Sequence, residues 1–155
     1  MQPLIFNIIS EAEMINFGGK LSKACKGNSC VIYLSGELGA GKTTLVRGFL
    51  RALGYQQPVK SPTYTIVEPY EINDTKVYHL DLYRLTNAEE LTYIGALDYF
   101  AENAIFLVEW PEKGKGVLPL PDLFCQLEST EGDGNSRVIT LISKSEIGDM
   151  ILNRL

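Results

Sequence analysis

The chain has 155 residues, 45% hydrophobic, 10% aromatic and 21% charged, with 19 acidic side chains against 14 basic ones and a formal charge of −5. A length of this order fits a single domain, 1–155, that buries about 70% of its unfolded surface, and the composition excludes a disordered chain, a collagen, a coiled coil and a disulfide miniprotein. Proteins that hold nucleic acid by neutralising phosphates show the opposite charge balance, so DNA binding is not expected and any RNA contact is expected to fall to a partner.

Residues 1–9 form an apolar, strand-like opening. Ser10-Glu11-Ala12-Glu13 has the form of a capping box, and Met14, Phe17, Leu21 and Ala24 recur behind it at helical spacing until Gly27-Asn28 stops the helix. Residues 30–34 are a short continuous apolar run, as in a strand buried on both faces. After a Gly-rich turn, 43–53 reads as a helix with Leu45, Val46, Phe49 and Leu53 inward and Gly54 as its C-cap. Residues 64–70 and 76–83 read as strands joined through Asn73-Asp74. Thr86-Asn87-Ala88-Glu89 is a second capping box, opening a helix that runs to Gly95, and a short helical turn follows at 98–101. A second buried-strand run, 104–108, ends at Glu109. Residues 117–121 are a Pro-bearing loop, 123–128 and 137–142 flank a Gly132-Asp133-Gly134-Asn135 turn as a late hairpin, and 145–155 reads as a terminal helix. This order predicts an α/β domain with a mostly parallel central sheet and antiparallel additions.

The strongest chemical signal is Gly36-Glu37-Leu38-Gly39-Ala40-Gly41-Lys42-Thr43, a full match to G-x-x-x-x-G-K-[ST]. Its glycines let backbone N–H groups turn inward around phosphate oxygens, Lys42 reaches the β- and γ-phosphates, and the Thr43 hydroxyl is placed to ligate Mg²⁺. The strand before it and the helix after it supply the required context, and the helix N-terminus adds its own attraction for anions. The segment reads as a nucleotide-binding phosphate loop in a P-loop NTPase-like, three-layer domain.

Glu109 stands at the end of a buried strand, where such sites usually hold an Asp for Mg²⁺. It is the lone carboxylate there, and two roles fit it: binding the metal or orienting an attacking water. Strand alternation puts His79, Asp81 and Tyr83 on one face. An Asp inside a strand is locally unfavourable, which points either to a specific ligand or to an edge-strand acid paired with Arg84 or Lys76. Ser61-Pro62-Thr63 falls where P-loop switches place a Thr that senses the γ-phosphate, although a plain loop-to-strand turn has the same pattern. Trp110 is a partner-contact anchor if exposed and core if buried.

His79 is the single histidine, so a His-based triad and a multi-His metal site are excluded, and it reads as a satisfied structural residue. Cys25, Cys30 and Cys125 lack metal-like spacing and have apolar flanks, as buried thiols in a reducing compartment do. No basic leader with an apolar core and no membrane-length apolar run is present, so a cytoplasmic location without membrane association is expected. Neither Asn-Lys-x-Asp nor Asp-x-x-Gly occurs, which favours adenine over guanine. No clear arginine finger stands out beyond the candidates Arg84, Lys113 and Arg137, so hydrolysis should be slow until a partner completes the site.

Taken in order, residues 36–44, Ser61-Pro62-Thr63-Tyr64-Thr65, His79-Leu80-Asp81-Leu82-Tyr83-Arg84 and Leu107-Val108-Glu109-Trp110-Pro111-Glu112-Lys113 resemble the bacterial TsaE (formerly YjeE) family. The resemblance implies an ATPase, with ATP and Mg²⁺ as cofactors, of the pathway that makes threonylcarbamoyladenosine beside the anticodon of tRNAs reading codons that begin with A. It implies that the ATPase does not transfer the threonylcarbamoyl group but resets a TsaB–TsaD heterodimer between turnovers, tRNA being contacted only through that partner. Carried across, Glu37, Leu38, Gly39, Ala40, Gly41, Lys42, Thr43 and Thr44 surround the phosphates, and Thr43 with Glu109 ligates the metal. Asp81 joins Lys42 and Glu109 as a catalytic residue, ordering metal or water. Trp110 and Glu112 support the nucleotide, Thr63 belongs to a switch-like segment, and Glu11 lies near the nucleotide. Two alternatives are a small-molecule P-loop kinase, with Lys113-Gly114-Lys115-Gly116 as its lid, and a binding module gated by nucleotide.

Overall fold

The computed structural model of the chain describes residues 1–132 and 134–155. Strand β1 (Leu4–Ile8) leads into Ser10, whose hydroxyl accepts the Glu13 N–H at 3.1 Å, while the Glu13 carboxylate reaches back to the Ile9 N–H at 2.8 Å. That reciprocal cap starts α1 (Glu11–Ala24), which buries Met14, Phe17, Leu21 and Ala24 as its spacing requires. Strand β2 (Cys30–Ser35) runs straight into the phosphate loop and α2 (Lys42–Leu53), closed by Gly54. Strands β3 (Val67–Ile72) and β4 (Thr75–Asp81) form a hairpin through Asn73 and Asp74, both at positive φ as a tight two-residue turn demands. The chain continues through α3 (Glu90–Tyr93), a 3₁₀ turn (Ala96–Ala101), β5 (Ile105–Glu109) and a second 3₁₀ turn (Pro111–Gly114). It ends with β6 (Leu123–Ser129), β7 (Arg137–Ser143) and α4 (Glu146–Asn153).

The strands make one seven-stranded sheet in the order β1-β7-β6-β2-β5-β4-β3. Its centre, β6-β2-β5-β4, is parallel, and β3, β7 and β1 add antiparallel margins. Period-two alternation divides the side chains between two cores. Ile32, Leu34, Val77, Ile105 and Leu107 pack under α1, α2 and α4, whereas Tyr78, Leu80, Phe106 and Val108 pack under α3 and the 3₁₀ turns. Three layers result, as the α/β pattern predicts. Because β5 and β6 flank β2 on opposite sides, a crevice opens beyond the carboxyl ends of these strands, at the switch point where open α/β sheets bind ligands.

The structure differs from the sequence expectations at three places. Residues 64–66 are not strand: the Ile66 N–H bonds the Pro62 carbonyl at 2.7 Å and Ile66 has φ 69°, so the chain makes a tight turn before β3. Thr86 does not cap a helix to Gly95. Its hydroxyl bonds the Glu90 carboxylate at 2.5 Å while Asn87 Oδ1 accepts the Glu89 N–H at 2.7 Å, an Asx turn that delays α3 and shortens it. Strand β4 stops at Asp81, leaving Tyr83 beyond the sheet, and it lies between β5 and β3 rather than at an edge. The expected Gly132-Asp133-Gly134-Asn135 turn falls partly outside the described residues. All three cysteines are free and buried. Among the described residues no helix is long and apolar enough to cross a membrane.

Candidate functional site

The phosphate loop is closed by the Ala40 N–H on the Glu37 carbonyl at 3.0 Å, and α2 begins with the Leu45 N–H on the Gly41 carbonyl at 2.9 Å. Gly41 occupies the left-handed region at φ 103°, where a side chain would be strained, and it offers α2 no side-chain cap. The first N–H groups of α2 therefore lack intrahelical partners and form an anion cradle at the positive end of the helix dipole. Lys42 is only 4% exposed. Its ammonium donates to the carbonyls of Gly36 and Glu37 and lies 4.1 Å from the centre of the Trp110 ring. Burial pulls this ammonium below the usual lysine range, and the carboxylates of Glu109, Glu112, Asp81 and Glu37 oppose that pull.

Opposite the loop stands a carboxylate system carried by β4 and β5, whose last residues, Asp81 and Glu109, are register partners. Both point to the α2 side of the sheet, sharing parity with Val77 and Leu107. The Thr43 hydroxyl faces Glu109 at 3.1 and 3.2 Å. Beneath it, His79 Nε2 lies 2.5 Å from Glu109 Oε2, with His79 wholly buried and Glu109 2% exposed. His79 Nδ1 has no hydrogen-bond partner among the described residues, so the ring is held through Nε2. Asp81 Oδ2 accepts from the Ser61 hydroxyl, Thr63 Oγ1 lies 3.3 Å from the same oxygen, and Asp81 Oδ1 accepts the Tyr83 N–H at 3.0 Å. Pairing with Arg84 or Lys76 is not what holds Asp81. Lys76 bonds Glu102 at 3.2 Å, and Arg84 lies over the Tyr64 ring.

A crevice of about 270 Å³ brings together Leu38, Gly39, Ala40, Gly41, Lys42, Thr43 and Thr44 with Thr63, Asp81, Glu109 and Trp110. Ser61 and Tyr83 line it too. Glu11 is not in this crevice. It lines an adjoining hollow of about 150 Å³ that shares Gly39, Gly41 and Thr44 with the crevice, and it pairs with Arg47 at 3.4 Å. Glu37 and Glu112 face a third hollow, of about 570 Å³, on the other flank of the loop, with Trp110 between the two spaces. Trp110 is neither a free anchor nor full core: it is half-buried at φ 58°, with its ring 5.0 Å from that of Tyr83. Sequence reasoning undervalued His79, whose alternation placed it on the correct face but whose partner depends on the pairing of β4 with β5.

A parallel-centred sheet whose switch-point crevice joins a G-x-x-x-x-G-K-[ST] loop to strand-end carboxylates defines a P-loop-type α/β domain. The family profile described as "Threonylcarbamoyl adenosine biosynthesis protein TsaE" matches residues 8–139. The chain belongs to the TsaE family. It is 43% identical to the tRNA threonylcarbamoyladenosine biosynthesis protein TsaE of Haemophilus influenzae over 157 aligned residues, covering 99% of this chain and 98% of that one. The Bacillus subtilis protein of the same description is 34% identical, with 88% of this chain and 84% of that one covered. Among solved structures, Bacillus subtilis YdiB superposes with a TM-score of 0.79 at 29% identity, covering 98% of this chain and 93% of the other.

Proposed function

We propose that this chain binds ATP with Mg²⁺ at the phosphate loop, hydrolyses it slowly alone, and thereby resets a TsaB–TsaD transferase during formation of threonylcarbamoyladenosine on tRNA. The observation that carries the reading is the Thr43 hydroxyl facing the buried Glu109 carboxylate across the mouth of the loop, at 3.1 and 3.2 Å. That pair fits a hard cation. Among the described residues no group of three or more His, Cys, Asp or Glu side chains is placed to hold a metal, as suits an ion that keeps water and phosphate oxygens in its shell. When bound, Mg²⁺ held by Thr43 and Glu109 would neutralise charge on the β- and γ-phosphates.

The two adjoining hollows support one direction for the nucleotide. Gly39, Gly41 and Thr44 border both, so the nucleoside lies toward Glu11 and the terminal phosphate toward Asp81 and Glu109. Lys42 and the α2 N–H groups hold the phosphate oxygens, and Trp110 covers Lys42 and excludes water from its ammonium. Asp81, braced by Ser61, Thr63 and the Tyr83 N–H, orients the attacking water while the bond from the γ-phosphorus to the ADP oxygen breaks. Among the described residues the crevice lining includes no arginine, so full turnover awaits a cation or a rearrangement supplied by the partner. The net charge of −5 supports leaving tRNA contact to that partner, which the chain would meet in the cytoplasm. A kinase lid at 113–116 has little support, because Gly114 is packed against Leu118 and Leu82.

The test is Mg²⁺-dependent ATP hydrolysis by the purified chain, alone and during titration with a TsaB–TsaD pair. Slow turnover that rises with added partner is expected, and no stimulation together with no complex would overturn the proposal. Lys42→Ala should abolish nucleotide binding, whereas Glu109→Ala should keep binding and lose about 100-fold or more in turnover. If a Glu109 variant that binds but does not hydrolyse supports tRNA modification as well as the wild type, the nucleotide gates docking and hydrolysis is incidental.

A further inference from the structure

Arg137 lies outside the crevice but lines the adjoining hollow beside Glu11, where its guanidinium is taken up by the phosphate loop itself. Its guanidinium donates from Nε to the Ala40 carbonyl at 3.2 Å and from Nη2 to the Gly39 carbonyl at 3.1 Å. Nη1 donates to the Gly134 and Ser136 carbonyls at 2.8 and 3.0 Å. Arg137 is the first residue of β7 and is register-paired on both sides, with Ile8 of β1 and Ser129 of β6, so the fork is rooted in the sheet.

We infer that Arg137 is a positioning residue that sets the phosphate loop in its nucleotide-binding shape. A trans peptide is planar, with its C=O and N–H on opposite sides. Holding the Ala40 carbonyl outward on Arg137 therefore turns the Gly41 N–H inward, toward the cradle. The Gly39 carbonyl is held outward by the same fork, and the Ala40 N–H closes the turn on Glu37. The restraint matters because Gly39 and Gly41 both sit at positive φ and are the residues with most freedom to lose. Order imposed beforehand by Arg137 need not be supplied by the nucleotide, and each residue so released would weaken binding by roughly a factor of ten. Two successive carbonyls on one edge of a guanidinium are a bidentate match that the point charge of a lysine does not reproduce. With its N–H groups directed at four carbonyls, Arg137 is not an arginine finger for the γ-phosphate. The inference rests on the reading that this loop binds ATP.

The experiment measures ADP and ATP affinity by calorimetry on the full chain, for wild type, Arg137→Lys and Arg137→Ala, with Lys42→Ala as the binding-null control. Each Arg137 variant should lose about 10- to 100-fold in affinity for both nucleotides by the same factor, with kcat at saturating ATP within about threefold of wild type. ATP weakened far more than ADP, together with collapse of kcat, would overturn the inference in favour of direct γ-phosphate contact. Unchanged affinities with a lower Tm would also overturn it, leaving Arg137 as a brace for the hairpin. A second readout needs no nucleotide: amide relaxation of Gly41 in the free chain, whose order parameter should fall from about 0.85 toward 0.6 in Arg137→Lys. Weaker binding with Gly41 order unchanged would overturn the inference in favour of a direct contact between Arg137 and the nucleoside. Wild type that binds neither nucleotide would refute the ATPase proposal, and the Gly41 relaxation would then decide alone whether Arg137 orders the loop.

Discussion

Glu109 owes its orientation to a residue two strand positions from its own register partner. His79 pairs with Leu107 across the β4–β5 ladder, and the diagonal reach from His79 to Glu109 is one that long side chains span. Removing the imidazole leaves a buried carboxylate held by the Thr43 hydroxyl, and an unsatisfied buried acceptor costs about 1–3 kcal/mol. His79→Leu is therefore expected to lower stability by about that amount in urea denaturation, and His79→Gln, which keeps an N–H donor near the Nε2 position, to recover at least half of it. Equal losses in the two variants would mean that the ring only fills space. Lys42, Thr43 and Glu109 were legible because a phosphate loop and a buried apolar run ending in an acid are local patterns. The His79 contact was not legible, because alternation names a face and only the register names a partner.

At the scale of the elements, the position of the loop depends on how α1 crosses α2. A Cβ added at Gly48 would lie 2.1 Å from the Ile15 carbonyl oxygen, and one at Gly18 would lie 2.2 Å from the Leu45 carbonyl oxygen. The two backbones are therefore in contact, and α2 carries Lys42 and Thr43 at its N-terminus. Gly48→Ala must separate the helices, and overpacking of this kind costs about 1–3 kcal/mol. For a chain of this size a melting temperature lower by about 2–12 °C is expected. At Gly19 the added Cβ would meet the Ala52 Cβ at 3.5 Å, an ordinary contact, so Gly19→Ala should be neutral or stabilising by up to about 1 kcal/mol. The reverse order of the two melting temperatures would refute this crossing. Both helices were readable from spacing and caps, but nothing in one sequence says which glycines face each other. The continuation of the turn through 64–66 was unreadable for a related reason: Tyr64, Thr65 and Ile66 suit a strand, and only the Pro62–Ile66 hydrogen bond decides otherwise, in a turn that brings Ser61 and Thr63 to Asp81.

For the whole molecule, the parallel centre and antiparallel margins followed from the alternation of elements, whereas the insertion of β5 between β2 and β4, which aligns Asp81 with Glu109, emerges only from the assembled sheet. All three free cysteines lie in the core between the sheet and α1, α2 and α4, at the end of α1, the start of β2 and the middle of β6. The hydrogen bond that the Cys25 thiol donates to Cys30, together with burial, pushes the Cys25 thiol up, and burial pushes up that of Cys125, so the reactive thiolate of these two is scarce while the fold is closed. Labelling by an aromatic disulfide reagent should therefore proceed only through opening of the core, at a rate set by the stability of the fold. A nucleotide that binds only the folded chain adds about 2.7 kcal/mol at one hundred times its Kd, which corresponds to labelling about 100-fold slower. The same addition should leave labelling of Lys42→Ala unchanged. Rapid labelling of the native wild type would show that the core opens locally around a thiol, and slow labelling indifferent to ADP and ATP would show that the phosphate loop does not hold them. Protection by nucleotide in wild type but not in Lys42→Ala would tie occupancy of the loop to the cohesion of the entire sheet, because none of the three thiols lines the crevice.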